Sequence, residues 1–185
     1  MNLPNALTIG RIFLIPLLVV VLLTKFEGRL ILGVRKELVG AGIFGLASLT
    51  DFLDGYLARR RKQITTVGQL MDPLADKLLI TAALFSLVAM ELVPAWIAVL
   101  IVGREFAVTV LRSLAQTRGV IIAASPLGKI KMVAEVVAIL ALILASDQGR
   151  NPLFVLGTLA LWLAMITALV SGFDYYRKFN RVVKI

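Results

Sequence analysis

Residues 51–76 read DFLDGYLARRRKQITTVGQLMDPLAD. Two apolar runs meet here across a basic segment, Arg59 to Lys62, and together they carry four aspartates: Asp51, Asp54, Asp72 and Asp76. Upstream, the first of these runs extends over about Leu38–Leu57; downstream, the second extends from about Pro73 to Met90. Each is close to the roughly 20 apolar residues that a membrane-spanning helix needs. The stretch therefore predicts two consecutive spans with carboxylates at membrane depth. An ionised carboxylate there costs roughly 3 kcal/mol unless it is paired, hydrated or bound to metal.

Outward from this centre, four more apolar runs complete the chain. They cover about Leu7–Leu23, with Pro16 inside, then Pro94–Leu114, Ile130–Ala145 and Pro152–Tyr176. Pro73, Pro94 and Pro152 are read as first-turn residues of their helices. The composition agrees, with 59% hydrophobic and 17% charged residues among 185; a soluble domain is nearer half and a quarter. The expectation is an all-α polytopic membrane protein, a bundle of six transmembrane helices forming a single membrane domain over residues 1–185. The N-terminus lacks the basic start and cleavage site of a signal peptide, so the first run is read as a retained helix. Within the first loop, Phe26–Val34 is read as a short interfacial helix.

Six spans put both termini on one side. That side collects thirteen basic residues, Arg59–Lys62, Lys129 and Lys131 among them, against five on the other, so both termini are placed in the cytoplasm. The loops predicted outside, Glu91–Val93 and Asp147–Asn151, are short, which favours antiparallel neighbours. The net charge of +9 is read as contact with anionic membrane lipids. No soluble basic face exists to carry nucleic acid.

The chain has no cysteine and no histidine. Disulfides, thiolate nucleophiles and cysteine-bound zinc are excluded, along with the commonest general base. Acid–base or metal chemistry must then rest on carboxylates, which suit magnesium or manganese. Residues three and four apart share a helix face, so Asp51 pairs with Asp54 and Asp72 with Asp76. Antiparallel helices could turn these pairs toward each other as an oxygen cage for one or two divalent ions. Gly55 and Ala58 extend the first stripe with small side chains, Gly68 lets the turn approach a ligand, and Arg59 offers a planar fork suited to phosphate. The bland alternative is a helix cap and a charge belt with Arg59–Lys62.

The pattern Asp51–x2–Asp54–Gly55–x2–Ala58–Arg59–x8–Gly68–x3–Asp72–x3–Asp76 resembles, at all eight fixed positions, the signature of the CDP-alcohol phosphotransferase family. The resemblance implies that the four aspartates hold two divalent ions, magnesium or manganese, beside the diphosphate of a CDP-lipid. It implies nucleotide and phosphate contacts from Gly55, Ala58, Arg59 and Thr65, Gly68 against the cytidine, and Asp76 as proton acceptor. Members are typically homodimers of the cell membrane, the inner membrane in bacteria, with the active site facing the cytoplasm.

The acceptor is read from the later spans. Arg104 and Arg112 are eight residues apart, about two helical turns, and so share one face. With Lys131 and with Lys77, next to Asp76, they form a basic pocket suited to a phosphorylated alcohol. The plainer readings are an internal pair of Arg104 with Glu105 or Glu135, and lipid headgroup contacts for Arg112, Lys129 and Lys131. Asn2–Thr8 with Arg11, Pro73–Lys77 and Gly103–Phe106 resemble the family branch that joins CDP-diacylglycerol to glycerol 3-phosphate. Asn5, Thr8 and Arg11 are then expected at the CDP-lipid. Met132 departs from the threonine that this branch often carries there. Inositol phosphate, serine or phosphatidylglycerol remain alternative acceptors. A divalent-cation or proton-coupled transporter is the alternative of another class. The aromatics Trp162, Phe173, Tyr175 and Tyr176 are read as bilayer-interface anchors.

Overall fold

The computed structural model describes residues 3–24, 30–31, 33–61, 66–119, 126–146 and 151–183, and side chains within 10–24, 31, 33–50, 75, 77–119, 127–146 and 151–181. In chain order the elements are α1 (Leu3–Leu23), β1 (Leu30–Ile31), β2 (Val34–Arg35), α2 (Lys36–Arg61), α3 (Thr66–Ala89), α4 (Ala95–Thr117), α5 (Pro126–Ala145) and α6 (Pro152–Val183). The architecture is all-helical apart from one small ribbon, and a helix covers each expected apolar run.

The helices are longer than the runs that announced them. Hydropathy marks which residues suit a bilayer, whereas the backbone ladder continues while successive residues keep helical dihedrals. Thus α3 starts at Thr66, and Pro73 lies in its third turn rather than its first. There its ring nitrogen withholds one ladder hydrogen bond. The sixth helix has 32 residues, about 48 Å at 1.5 Å per residue, well beyond a hydrocarbon core of about 30 Å.

The expected interfacial helix is also corrected. Its described residues form an antiparallel ribbon pairing Leu30 with Arg35 and Ile31 with Val34. Gly33, with φ +79°, supplies the left-handed residue of the turn. A ribbon this short is not stable alone, and both strands pack against α2.

Several helix ends are closed by local chemistry. Asn151 Oδ1 accepts the Phe154 amide at 2.8 Å, a side-chain cap on α6. Pro152 follows as the first helical residue. Gly119, at φ +73°, ends α4. Between α3 and α4 the Leu92 amide bonds back to the Leu87 carbonyl at 3.0 Å, with Glu91 in the left-handed region at φ 61°.

The most extensive helix contact is between α5 and α6; α1 packs on α2 and α3, and α4 on α6. A Cβ on Gly157 would stand 2.8 Å from Leu142 Cγ and 3.1 Å from the Leu142 backbone nitrogen, so glycine sets the close approach of α6 to α5. The buried core draws on every helix, with Leu18, Phe44, Leu87, Ile101, Leu142 and Leu161 as examples. The outward face of α6 is apolar too, with Val155, Leu159, Ile166, Val170 and Phe173 all more than half exposed. Among the described residues one helix, Pro152–Arg181, is long and apolar enough to cross a membrane; Gly10–Leu23 and Lys77–Ala89 are shorter apolar stretches.

Candidate active site

The aspartate stretch folds as two consecutive helices in contact with each other. Asp51 and Asp54 lie on α2 with Gly55, Ala58 and Arg59; Gly68, Asp72 and Asp76 lie on α3. Asn5 and Thr8 belong to α1. The side chains of these residues, and Thr65 altogether, fall outside the described set. Arg11, on α1, is 1% exposed. The donor set of the stretch is four carboxylates with no histidine or cysteine, which fits a hard divalent ion.

Lys77, the residue after Asp76, lines a cavity of about 280 Å³. Lys77 of α3, Arg104 and Arg112 of α4, and Lys129 and Lys131 of α5 line it. Among the described residues, Glu105 and Glu135 are the acidic ones on its wall. The four basic residues expected to hold an acceptor phosphate, Lys77, Arg104, Arg112 and Lys131, are thus brought together from three helices.

Their settings differ. Arg104 is fastened to protein. Its Nε donates to the Ala168 carbonyl at 2.9 Å, one terminal nitrogen donates to Ser171 Oγ, and the other pairs with Glu105 Oε1. Its stem crosses Gly172, where a Cβ would stand 3.1 Å from Arg104 Cγ. Lys131, 5% exposed, bridges Glu105 Oε1 at 2.8 Å and Glu135 Oε2 at 2.7 Å. The internal pairing of Arg104 with Glu105 therefore coexists with its place on the cavity wall. Lys77 Nζ donates to Thr109 Oγ1, whose own hydroxyl donates to the Glu105 carbonyl at 2.7 Å. The Arg112 guanidinium stands over the Tyr175 ring, 5.8 Å from its centre.

Tyr175 corrects a sequence expectation. It is buried and lines the cavity, whereas Phe173 and Tyr176 are exposed. Trp162, also expected at an interface, meets Trp96 edge-on at 5.7 Å. The sequence reading missed Ser48, Ser171 and Tyr175 as cavity residues. A signal for two of them exists: Leu161, Ala164, Ala168, Ser171, Tyr175 and Phe179 are all buried and follow one another at steps of three and four, the period of one helix face.

Helices, aspartate stretch and basic cavity together define an enzyme that handles phosphorylated ligands, and comparison with known proteins agrees. The CDP-alcohol phosphatidyltransferase family matches residues 1–170, and the chain belongs to that family. It is 44% identical over 182 residues to a CDP-diacylglycerol–glycerol-3-phosphate 3-phosphatidyltransferase of Bacillus subtilis, covering 96% of this chain and 94% of the relative. It is 38% identical over 177 residues to the enzyme of the same name from Rickettsia typhi, covering 95% and 96%. A probable phosphatidylglycerophosphate synthase of Mycobacterium tuberculosis is 39% identical over 176 residues, covering 94% of this chain and 79% of the relative.

Proposed function

We propose that this chain transfers the phosphatidyl group of CDP-diacylglycerol to glycerol 3-phosphate, giving phosphatidylglycerophosphate and CMP. The observation that carries the acceptor is the convergence of Lys77, Arg104, Arg112 and Lys131 on one cavity, with Lys77 next to Asp76 in the chain. Cations held by a rigid frame suit a phosphate monoester better than a neutral alcohol such as serine. The relatives' names point to the same acceptor.

In this reading Asp51, Asp54, Asp72 and Asp76 hold divalent magnesium or manganese. When bound, such ions neutralise the diphosphate and favour departure of CMP. Arg59, with the small residues Gly55, Ala58 and Gly68, seats the nucleotide and its phosphates. Thr65, Asn5, Thr8 and Arg11 complete the CDP-lipid site. Lys77 and Arg112 engage the phosphate of the acceptor, while Arg104 and Lys131, tied to Glu105, fix the shape of the cavity. Asp76 accepts the proton of the attacking hydroxyl. The new bond joins that oxygen to the phosphorus bearing diacylglycerol. The bond from this phosphorus to the oxygen of CMP breaks, and CMP leaves with the electron pair.

The setting belongs to the same proposal: six spans in the cell membrane, the inner membrane of a bacterium, with active site and termini toward the cytoplasm, and a homodimer. The apolar outward face of α6 supports contact with lipid, since soluble surfaces rarely present such a stripe. The test is CMP release by the detergent-solubilised protein from CDP-diacylglycerol, with glycerol 3-phosphate, inositol phosphate or serine as acceptor. Release is expected with glycerol 3-phosphate. Release with inositol phosphate or serine alone would overturn the assignment.

A further inference from the structure

Resting on that acceptor reading, we propose that Tyr175 and Ser48 recognise the secondary hydroxyl of glycerol 3-phosphate, the one group of the acceptor that neither reacts nor carries charge. Both residues line the basic cavity, Ser48 from α2 and Tyr175 from α6. The Ser48 hydroxyl and the Tyr175 phenol oxygen are buried with no hydrogen-bond partner, and Tyr175 as a whole is 5% exposed. Interior polar groups are almost always bonded, and one left unmade is costly. Two such groups on residues that line one cavity are accounted for if a ligand completes them.

Their chemistry selects the kind of partner. Phosphate oxygens accept hydrogen bonds, and Lys77 and Arg112 offer N–H donors for them. A serine or tyrosine hydroxyl both donates and accepts, so it matches another hydroxyl. Glycerol 3-phosphate offers one phosphate, one hydroxyl that attacks and one more in between. Tyr175 is held to present its oxygen: it continues the buried stripe of α6, and the Arg112 guanidinium stands over its ring. A cation for the phosphate thereby lies 5.8 Å from the centre of the ring that carries a hydroxyl for the carbon chain.

The experiment compares glycerol 3-phosphate with 3-hydroxypropyl phosphate, which lacks only the secondary hydroxyl, using the full chain in detergent with CDP-diacylglycerol. The wild type is expected to prefer glycerol 3-phosphate about a hundredfold in kcat/KM. Tyr175→Phe and Ser48→Ala are each expected to shrink that ratio about tenfold. The ratio compares two acceptors on one protein sample, so partial misfolding cancels. A wild type that releases no CMP with glycerol 3-phosphate would overturn the acceptor reading itself. A wild type that is active yet indifferent to the missing hydroxyl, or variants that keep the wild-type ratio, would overturn the hydroxyl assignment alone.

Discussion

Lys131 Nζ lies 2.8 Å from Glu105 Oε1 and so ties α5 to α4. The lysine is almost wholly enclosed and has Glu135 as a second carboxylate. Removing one partner of a buried pair leaves a charge without its counterion, which costs more than the pair contributes. Lys131→Met is expected to lower stability by about 3 kcal/mol, read as a shift of thermal unfolding in detergent. Adding Glu105→Gln to that variant should cost less than the same change costs in the wild type, because the two changes act on one contact. Additive losses would mean that the two residues are not coupled.

Asp76→Asn keeps the shape of the side chain and removes its basicity. The variant is expected to bind CDP-diacylglycerol and to lose turnover by about 10²–10⁴-fold, the usual range for a general base. Binding is measured by protection from thermal unfolding and turnover by CMP release. Turnover near wild type would take Asp76 out of the proton-accepting role.

Arg112 is proposed to meet the phosphate of the acceptor. Arg112→Ala is expected to raise KM for glycerol 3-phosphate by about 10–100-fold, as the loss of a charge-assisted hydrogen bond does. KM for CDP-diacylglycerol should change little. Steady-state kinetics with each substrate varied in turn decides this. An equal rise for both substrates would assign Arg112 to the CDP-lipid instead.

The four aspartates are proposed to hold a hard divalent ion. Treatment with EDTA is expected to abolish CMP release, and magnesium or manganese to restore it. Full activity after exhaustive chelation would show that the aspartates work without metal.

Gly157 allows α6 to approach the backbone of α5. Gly157→Ala places a methyl group 3.1 Å from the Leu142 nitrogen, where no side chain can swing away. Overpacking of this kind costs about 1–3 kcal/mol. The melting temperature in detergent should fall accordingly.

Much of the site was legible before any coordinates. Carboxylates in apolar runs are costly enough to demand a purpose, and the two helices expected to carry them are present as α2 and α3. The eight-residue interval of Arg104 and Arg112, with Lys131 and Lys77, foretold a shared basic cavity, because helical periodicity converts sequence distance into direction. Other features were not legible, for reasons equally physical. Tyr175 and Tyr176 are the same residue type, and only the turn of about 100° per residue separates the outward Tyr176 from the inward Tyr175. Ser48 and Ser171 are small enough to pass as ordinary residues of an apolar helix. The ribbon at Leu30–Arg35 depends on pairing across a turn, which an apolar run does not announce. Pro73 misled because proline marks a helix start more often than a third turn.

The Arg104 side chain crosses Gly172 and is bound by Ala168 and Ser171 of one helix while rooted in another. It works as a dowel. Sliding α4 along α6 by one turn, about 5.4 Å, would break both attachments at once and leave the guanidinium with Glu105 of its own helix. That flank of the chamber is accordingly a fixed abutment between α4 and α6.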